Sequence, residues 1–518
     1  MLPIGAVSGI GVTAVRAGPW AAAGTALGAV AVASGAALIV RRGRRRPDVD
    51  RAARLLAGRP GVARSTTRGA AAEAVRLGAR TAVPGVYIGR TVHGRRDLWG
   101  SWEDMHMDIW GPRTGKTSTR AIPAVVGAPG AVIVTSNKRD IVDATRGVRE
   151  RRGPVFVFDP QNQAGESPSW WWNPLSFVGE NVAKGHMLAS FFAGINRQGH
   201  VRSDGYFEPA GRDLFGNFLL AASLEGLPIT RTLTWLMRPG DSTPEHILRA
   251  NGQPLAADSI AMVREAPSRQ RSGVFGVAAQ IASPLTVPSV TEWVTPGSNP
   301  RRPEFRHADF AQRDDATIYL LSEETERAAA PFLIGLVSAL AYAVEGRAIE
   351  SPGGRLAVPA LFVLDEAANV CPWHELPFLY SHYGSRGIVM MTVLQSWAQG
   401  VGVWGEAGMA SMWGAANVRV YGGGSADTRF LHDLAQTTPR FEPQTVATSR
   451  SAGRIFGGSV THASRSEPVL DAADLFRLPR GRALVQVSGG PPMLARTIPW
   501  WDGPYAAEIR RSLAKYAP

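Results

Sequence analysis

Residues 110–118 read WGPRTGKTS, between a strand-like run, His106–Trp110, and a run that suits a helix, 116–128. This stretch constrains the fold more tightly than any other in the chain. Small residues let backbone N–H groups close around phosphate oxygens, and the N-terminus of a following helix adds partial positive charge. In such a loop Lys116 neutralises the β- and γ-phosphates of ATP and the Thr117 hydroxyl ligates Mg2+. Gly111, Pro112, Arg113, Thr114, Gly115 and Ser118 complete the cradle. The spacing departs from the usual one, which leaves four residues between the first glycine and the Gly-Lys pair. Gly111 and Gly115 have three between them, and Trp110 takes the usual first-glycine position. Either the loop is one residue tighter or it accommodates an indole.

A Gly-Lys-Thr tripeptide gains meaning only with a partner. LFVLDEA, 361–367, is an apolar strand ending in two adjacent carboxylates. From the C-terminal end of a central strand Asp365 would reach the magnesium shell, and Glu366 would orient and deprotonate the attacking water. The plain alternative is a strand running into an acidic helix start. GIVMMTVLQS, 387–396, is another strand, ending in Gln395, an uncharged group able to position water. Arg386 lies just before it and is either a surface arginine or a finger reaching a neighbouring subunit's nucleotide.

Further apolar runs at 131–136, 155–159, 317–322, 417–421 and 483–488 alternate with helical stretches, the pattern of a parallel α/β sheet. A β-rich lead-in spans Tyr87 to Trp110, and 326–345 reads as a strong apolar helix. Pro123 should kink the helix after the loop or end its regular part. Between about 180 and 300 strand-like runs thin out, which predicts an inserted all-α domain at 181–299. The nucleotide-binding domain then comprises 97–180 and 300–518. Residues 447–467, rich in Ser, Arg and Gly, read as a mobile loop.

Residues 18–40 carry no charge over 23 positions, long enough for a helix to cross a bilayer core of about 30 Å. Arg41, Arg42, Arg44, Arg45 and Arg46 follow directly, and the positive-inside bias places what comes after them in the cytoplasm. Residues 1–46 are therefore read as an anchor in the inner or plasma membrane, with one or two passes, and 47–96 as a basic juxtamembrane linker. The stretch 41–96 holds 15 Arg against Asp48, Asp50 and Glu73, so most of the chain's net charge of +13 lies there. Such a segment suits anionic headgroups or nucleic-acid phosphates. The single cysteine, Cys371, excludes an internal disulfide framework.

Taken in order, GPRTGKTS, TSNKRD (135–140), FVFDPQNQ, WWNPLSF (171–177), LFVLDEAANV, VLQSWAQ, NVRVYGGGSADT and LFRLPRGRALVQVSG resemble the type IV secretion coupling proteins, the conjugative DNA-transfer ATPases of the TraG/TraD kind. The resemblance runs from about Trp110 to Trp501. It implies a RecA-like P-loop domain with an inserted all-α domain and a membrane anchor, assembling as a homo-hexamer. It also implies ATP and Mg2+ as cofactors. The implied partners are single-stranded DNA gripped without sequence preference, a relaxase or accessory protein, and components of the secretion channel. Two other readings stay open: a septal DNA translocase of the FtsK type, and a membrane scaffold with a decayed nucleotide site.

Overall fold

The computed structural model describes residues 49–56, 62–195, 205–297, 301–323, 327–441, 444–450, 458–464 and 466–518. The uncharged run 18–40 and the arginines after it lie outside these residues. The apolar runs picked out in the sequence become strands, within a residue or two of their expected ends. In chain order the strands are β1 (Val86–Thr91), β2 (Asp97–Gly100), β3 (His106–Ile109), β4 (Val132–Ser136) and β5 (Val155–Phe158). Next come β6 (Thr317–Leu321), β7 (Ala360–Leu364), β8 (Ile388–Leu394) and β9 (Val418–Tyr421). After β9 follow β10 (Arg440–Phe441), β11 (Gln444–Arg450), β12 (Gly458–Ser464), β13 (Glu467–Pro468), β14 (Arg482–Val487) and β15 (Met493–Arg496).

Eleven strands form one sheet in the order β2-β1-β15-β14-β9-β3-β8-β7-β4-β6-β5. The seven from β9 to β5 are mutually parallel, and β14, β15, β1 and β2 extend the sheet antiparallel. The central strands are buried on both faces, as their lack of polar alternation requires. Successive residues still serve different cores. Ile133, Ile318, Phe362 and Met390 face one apolar cluster, while Val132, Val134, Val363 and Val389 face another. Helices cover both faces, and the unit that contains them spans Ala52–Pro518.

The helix Ala330–Glu350 lies in the first core. With the turn before it, it is the one described helix long and apolar enough to cross a membrane, but most of its apolar stretch is buried in protein. Between β5 and β6 every described element is helical, from Leu175–Val178 to His307–Ala311. The longest of these helices, Val182–Ile195, Phe207–Leu224 and Ser268–Ile281, share the first core with the sheet. Their root is an aromatic knot in which Phe158 and Trp170 each meet Trp293 at 5.4 Å between ring centroids.

Two local expectations can be compared with the backbone. After the loop, Thr117–Ala121 forms a wide π turn in which the Ile122 N–H donates to the Thr117 carbonyl. The regular helix Ile122–Gly127 follows with Pro123 in its first turn. A proline has no N–H to give to the carbonyl four residues back, so the wider turn takes up the slack. The stretch read as a mobile loop at 447–467 is instead crossed by a hairpin, β11 paired with β12 from Gln444↔Ser464 to Arg450↔Gly458.

Candidate nucleotide-binding site

Sheet order brings the motifs together. β8 lies between β3 and β7, with Ile109 paired to Leu394 and Leu364 to Thr392. The segments leaving the C-terminal ends of these three strands are therefore neighbours, although Lys116 and Glu366 are 250 residues apart. The Lys116 ammonium forms an ion pair with a Glu366 carboxylate oxygen. The Gln395 amide N–H2 group donates to both Glu366 oxygens, at 2.8 and 2.7 Å. Glu366 is held there by a left-handed backbone, φ 53°, a conformation uncommon outside glycine and frequent at functional turns.

The loop is shaped by its own side chains. Thr114 Oγ1 donates to the Gly111 carbonyl at 2.6 Å, and Ser118 and Thr119 hydroxyls both donate to the Gly115 carbonyl. Gly115 has φ 100°, which only glycine adopts without strain. Trp110 explains the odd spacing. Its indole is fully buried, donates to Asp108 Oδ2 at 3.2 Å and belongs to the second apolar core. The room comes from the glycine run after β9. A Cβ on Gly422 would collide with the indole, and one on Gly111 would collide with Gly424. The Gly111 N–H also donates to the Gly423 carbonyl at 2.9 Å. The indole is thus accommodated at the first-glycine position by glycines 312 residues away.

The helix behind the loop is fixed to β3 by a buried pair. Arg120 Nε and Nη2 donate to the two Asp108 oxygens at 2.6 and 3.1 Å, with both side chains fully buried. His106, also buried, lies 3.1 Å from Arg120. Its pKa is driven well below the usual imidazole value, by burial first and by the neighbouring guanidinium second.

Asp365 sits under the site at 3% exposure, and its Oδ1 has no hydrogen-bond partner among the described residues. Burial pushes its pKa up to about 7, with Lys116 opposing the shift and Glu366 adding to it. A buried carboxylate with an unused oxygen is what a hard cation requires, so the donor set of Asp365 and the Thr117 hydroxyl fits Mg2+.

A cavity of about 900 Å³ opens over the loop, lined by Lys116, Thr117, Glu366 and Gln395 with other loop residues. Arg139, paired with Asp143, lines it together with Asp140, and three other cations face it: Arg113 from the loop, Lys138 from the turn after β4 and Arg480 from the turn before β14. All three are exposed and form no hydrogen bond from their charged groups and no ion pair among the described residues. Lys138 and Arg480 were not singled out in the sequence, although both fall in quoted segments, TSNKRD and LFRLPRGRALVQVSG. Arg386 is not brought into the site. It precedes the first residue of β8 while Gln395 follows the last, roughly 23 Å of strand apart. Its Nη1 donates to the Gly354 carbonyl at 3.1 Å.

Fold and site together define a RecA-like P-loop architecture, a mixed α/β protein around a large parallel sheet. Residues 359–480 match the family described as the TraM recognition site of TraD and TraG. Among solved structures, the bacterial conjugative coupling protein TrwBdeltaN70 in an unbound form is similar over 82% of this chain and 91% of its own, at 16% identity and a TM-score of 0.57. Plasmid coupling protein TrwB in complex with ADP and Mg2+ matches over 77% of this chain and 85% of its own, at 16% identity and a TM-score of 0.54. VirB4 of Thermoanaerobacter pseudethanolicus matches over 82% and 98%, at 10% identity and a TM-score of 0.50. No curated protein matches the sequence. The chain resembles type IV secretion coupling proteins of the TraG/TraD type, and at these identities the structural likeness speaks for the fold.

Proposed function

We propose that this chain is a membrane-anchored ATPase that couples a DNA–relaxase substrate to a type IV secretion channel and drives its transfer by hydrolysis. The observation that carries the enzymatic part is the convergence of Lys116, Glu366 and Gln395 beneath a cavity faced by Arg113, Lys138 and Arg480, cations with no ion-pair partner among the described residues. A triphosphate carries three to four negative charges, and this rim complements them. The relatives' descriptions support the rest: one is a conjugative coupling protein, another form holds ADP and Mg2+, and the matched family is a TraM recognition site.

Each residue then has a task. The loop from Gly111 to Ser118 wraps the phosphates, and Lys116 moves from Glu366 to them when they arrive. Glu366, released from that pair and still held by Gln395, accepts a proton from the attacking water. Thr117 and Asp365 are the residues that would hold Mg2+, which would supply positive charge against the phosphates. The run 18–40 anchors the chain in the inner or plasma membrane, and the basic residues after it stay on the cytoplasmic side. Six copies form the ring, and DNA is gripped by its backbone rather than read by its bases. The helices between β5 and β6 form the domain that receives the relaxase, and residues 359–480, which match the TraM recognition family, receive an accessory protein. A scaffold with a decayed site has no need of an orphaned Asp365 oxygen beside an intact Lys116.

The test is Glu366→Gln. It should bind MgATP at least as tightly as the parent while hydrolysis falls by roughly 10²-fold or more, the scale of a lost general base. Unchanged turnover would remove Glu366 from the chemistry.

A further inference from the structure

The cavity over the loop has lining of two kinds. The loop and the cations around it suit phosphates. Apolar groups border the same space: Ile122 from the loop helix, Ala144 from the helix Asp140–Arg149, Leu513 from the helix Ala506–Tyr516, and Trp500, with Asp140 and Asp143 also on its wall. We propose that this apolar lining seats the nucleobase, with Trp500 as its stacking platform and Ile122 and Leu513 as side walls. The inference rests on the nucleotide-binding reading above and assigns the part of the nucleotide that the phosphate loop leaves free.

Continuity of the cavity is the first argument. Lys116, Thr117, Ser118, Ile122 and Trp500 border the same space, so a nucleotide held at the loop by its phosphates shares a cavity with the indole. Every base has a π-face, and an aromatic ring recognises it without hydrogen bonds. Anchoring is the second argument. Trp500 opens the short turn Trp500–Asp502, is half-buried against the second core, and packs edge-on to Trp501 at 5.4 Å between centroids. The helix that carries Leu513 is tied to the helix that carries Ala144. Ser512 Oγ donates to the Asp143 carbonyl at 2.6 Å and accepts from the Gly147 N–H at 2.9 Å. Arg139 Nη2 donates to the Tyr516 carbonyl at 2.8 Å. The walls are thus fixed before a ligand arrives, which lowers the entropy cost of binding.

Isothermal titration of the full-length protein with MgATP and with magnesium tripolyphosphate, which has no base, separates base binding from phosphate binding. Trp500→Leu keeps apolar bulk and removes the π-face, and Trp500→Phe keeps a smaller one. Trp500→Leu should weaken MgATP by roughly tenfold and leave tripolyphosphate unchanged, with Trp500→Phe restoring most of the loss. Unchanged MgATP affinity in Trp500→Leu, or an equal loss for both ligands, would overturn the base platform while the parent still binds both. If the parent binds neither ligand, the nucleotide reading falls and takes this inference with it. Lys116→Ala should weaken both ligands together.

Discussion

At the scale of single residues, the site depends on matched exceptions. An indole stands where a glycine is usual, and a glycine run elsewhere yields to it. Gly422→Ala places a methyl group against the Trp110 ring, an overpacking expected to cost about 1–3 kcal/mol. Chemical denaturation should show that loss, and MgATP affinity should fall with it because Gly111 is hydrogen-bonded to the same run. A neutral Gly422→Ala would mean that the indole does not rely on that gap. Lys116, Thr117, Asp365, Glu366 and Gln395 were legible in the sequence because each ends or follows a recognisable strand and belongs to a contiguous motif. Lys138, Arg480 and Trp500 were not, because nothing local marks them. Their place beside the loop arises only when the turns after β4, before β14 and after β15 meet over it. Arg386 shows the reverse limit. Its two readings were a surface arginine and a finger reaching a neighbouring subunit's nucleotide, and within the chain it stands at the opposite end of β8 from Gln395.

At the scale of elements, the phosphate loop is as well placed as the joint between β3 and the helix behind it. Asp108→Asn leaves the Arg120 charge buried beside a neutral amide. Breaking a buried pair in this way should cost about 3–5 kcal/mol, read as a shift in the urea midpoint. A change under about 1 kcal/mol would show that Arg120 is stabilised mainly by its other acceptors. The same joint has a pH signature. The folded-state pKa of His106 lies below its unfolded value of about 6.5, so the unfolded chain binds its proton more readily. Stability from this group is complete above that value and is lost as pH falls toward the folded pKa. Asp365, raised to about 7, contributes with the opposite sign, so only a difference isolates the histidine. The melting temperature of the parent relative to His106→Asn should therefore drop between pH 7 and pH 5. A difference that stays constant over that range would contradict the burial argument. Strand positions were legible because buried parallel strands are continuous apolar runs. The pairing of 444–450 with 458–464 was not, since these stretches are not continuous apolar runs.

At the scale of the whole molecule, one large sheet organises both features. One end of its parallel strands carries the candidate nucleotide site, and the helices between β5 and β6 meet the edge strand β5 in an aromatic knot. The helical character of that insertion was visible as a thinning of strand-like runs. Its sharing of one core with the sheet was not, because it depends on which faces of three long helices turn inward. The proposed anchor and basic linker would add a membrane and a source of phosphate-directed charge, while the rest of the chain is nearly neutral. The central claim is that nucleotide turnover at Lys116 and Glu366 serves the movement of DNA. Its most direct test is steady-state ATP hydrolysis by the full-length protein in lipid nanodiscs, with and without single-stranded DNA, beside Lys116→Ala. The expected result is hydrolysis by the parent that rises several-fold with DNA and is absent in the variant. Hydrolysis no faster than that of Lys116→Ala, with DNA present, would contradict it.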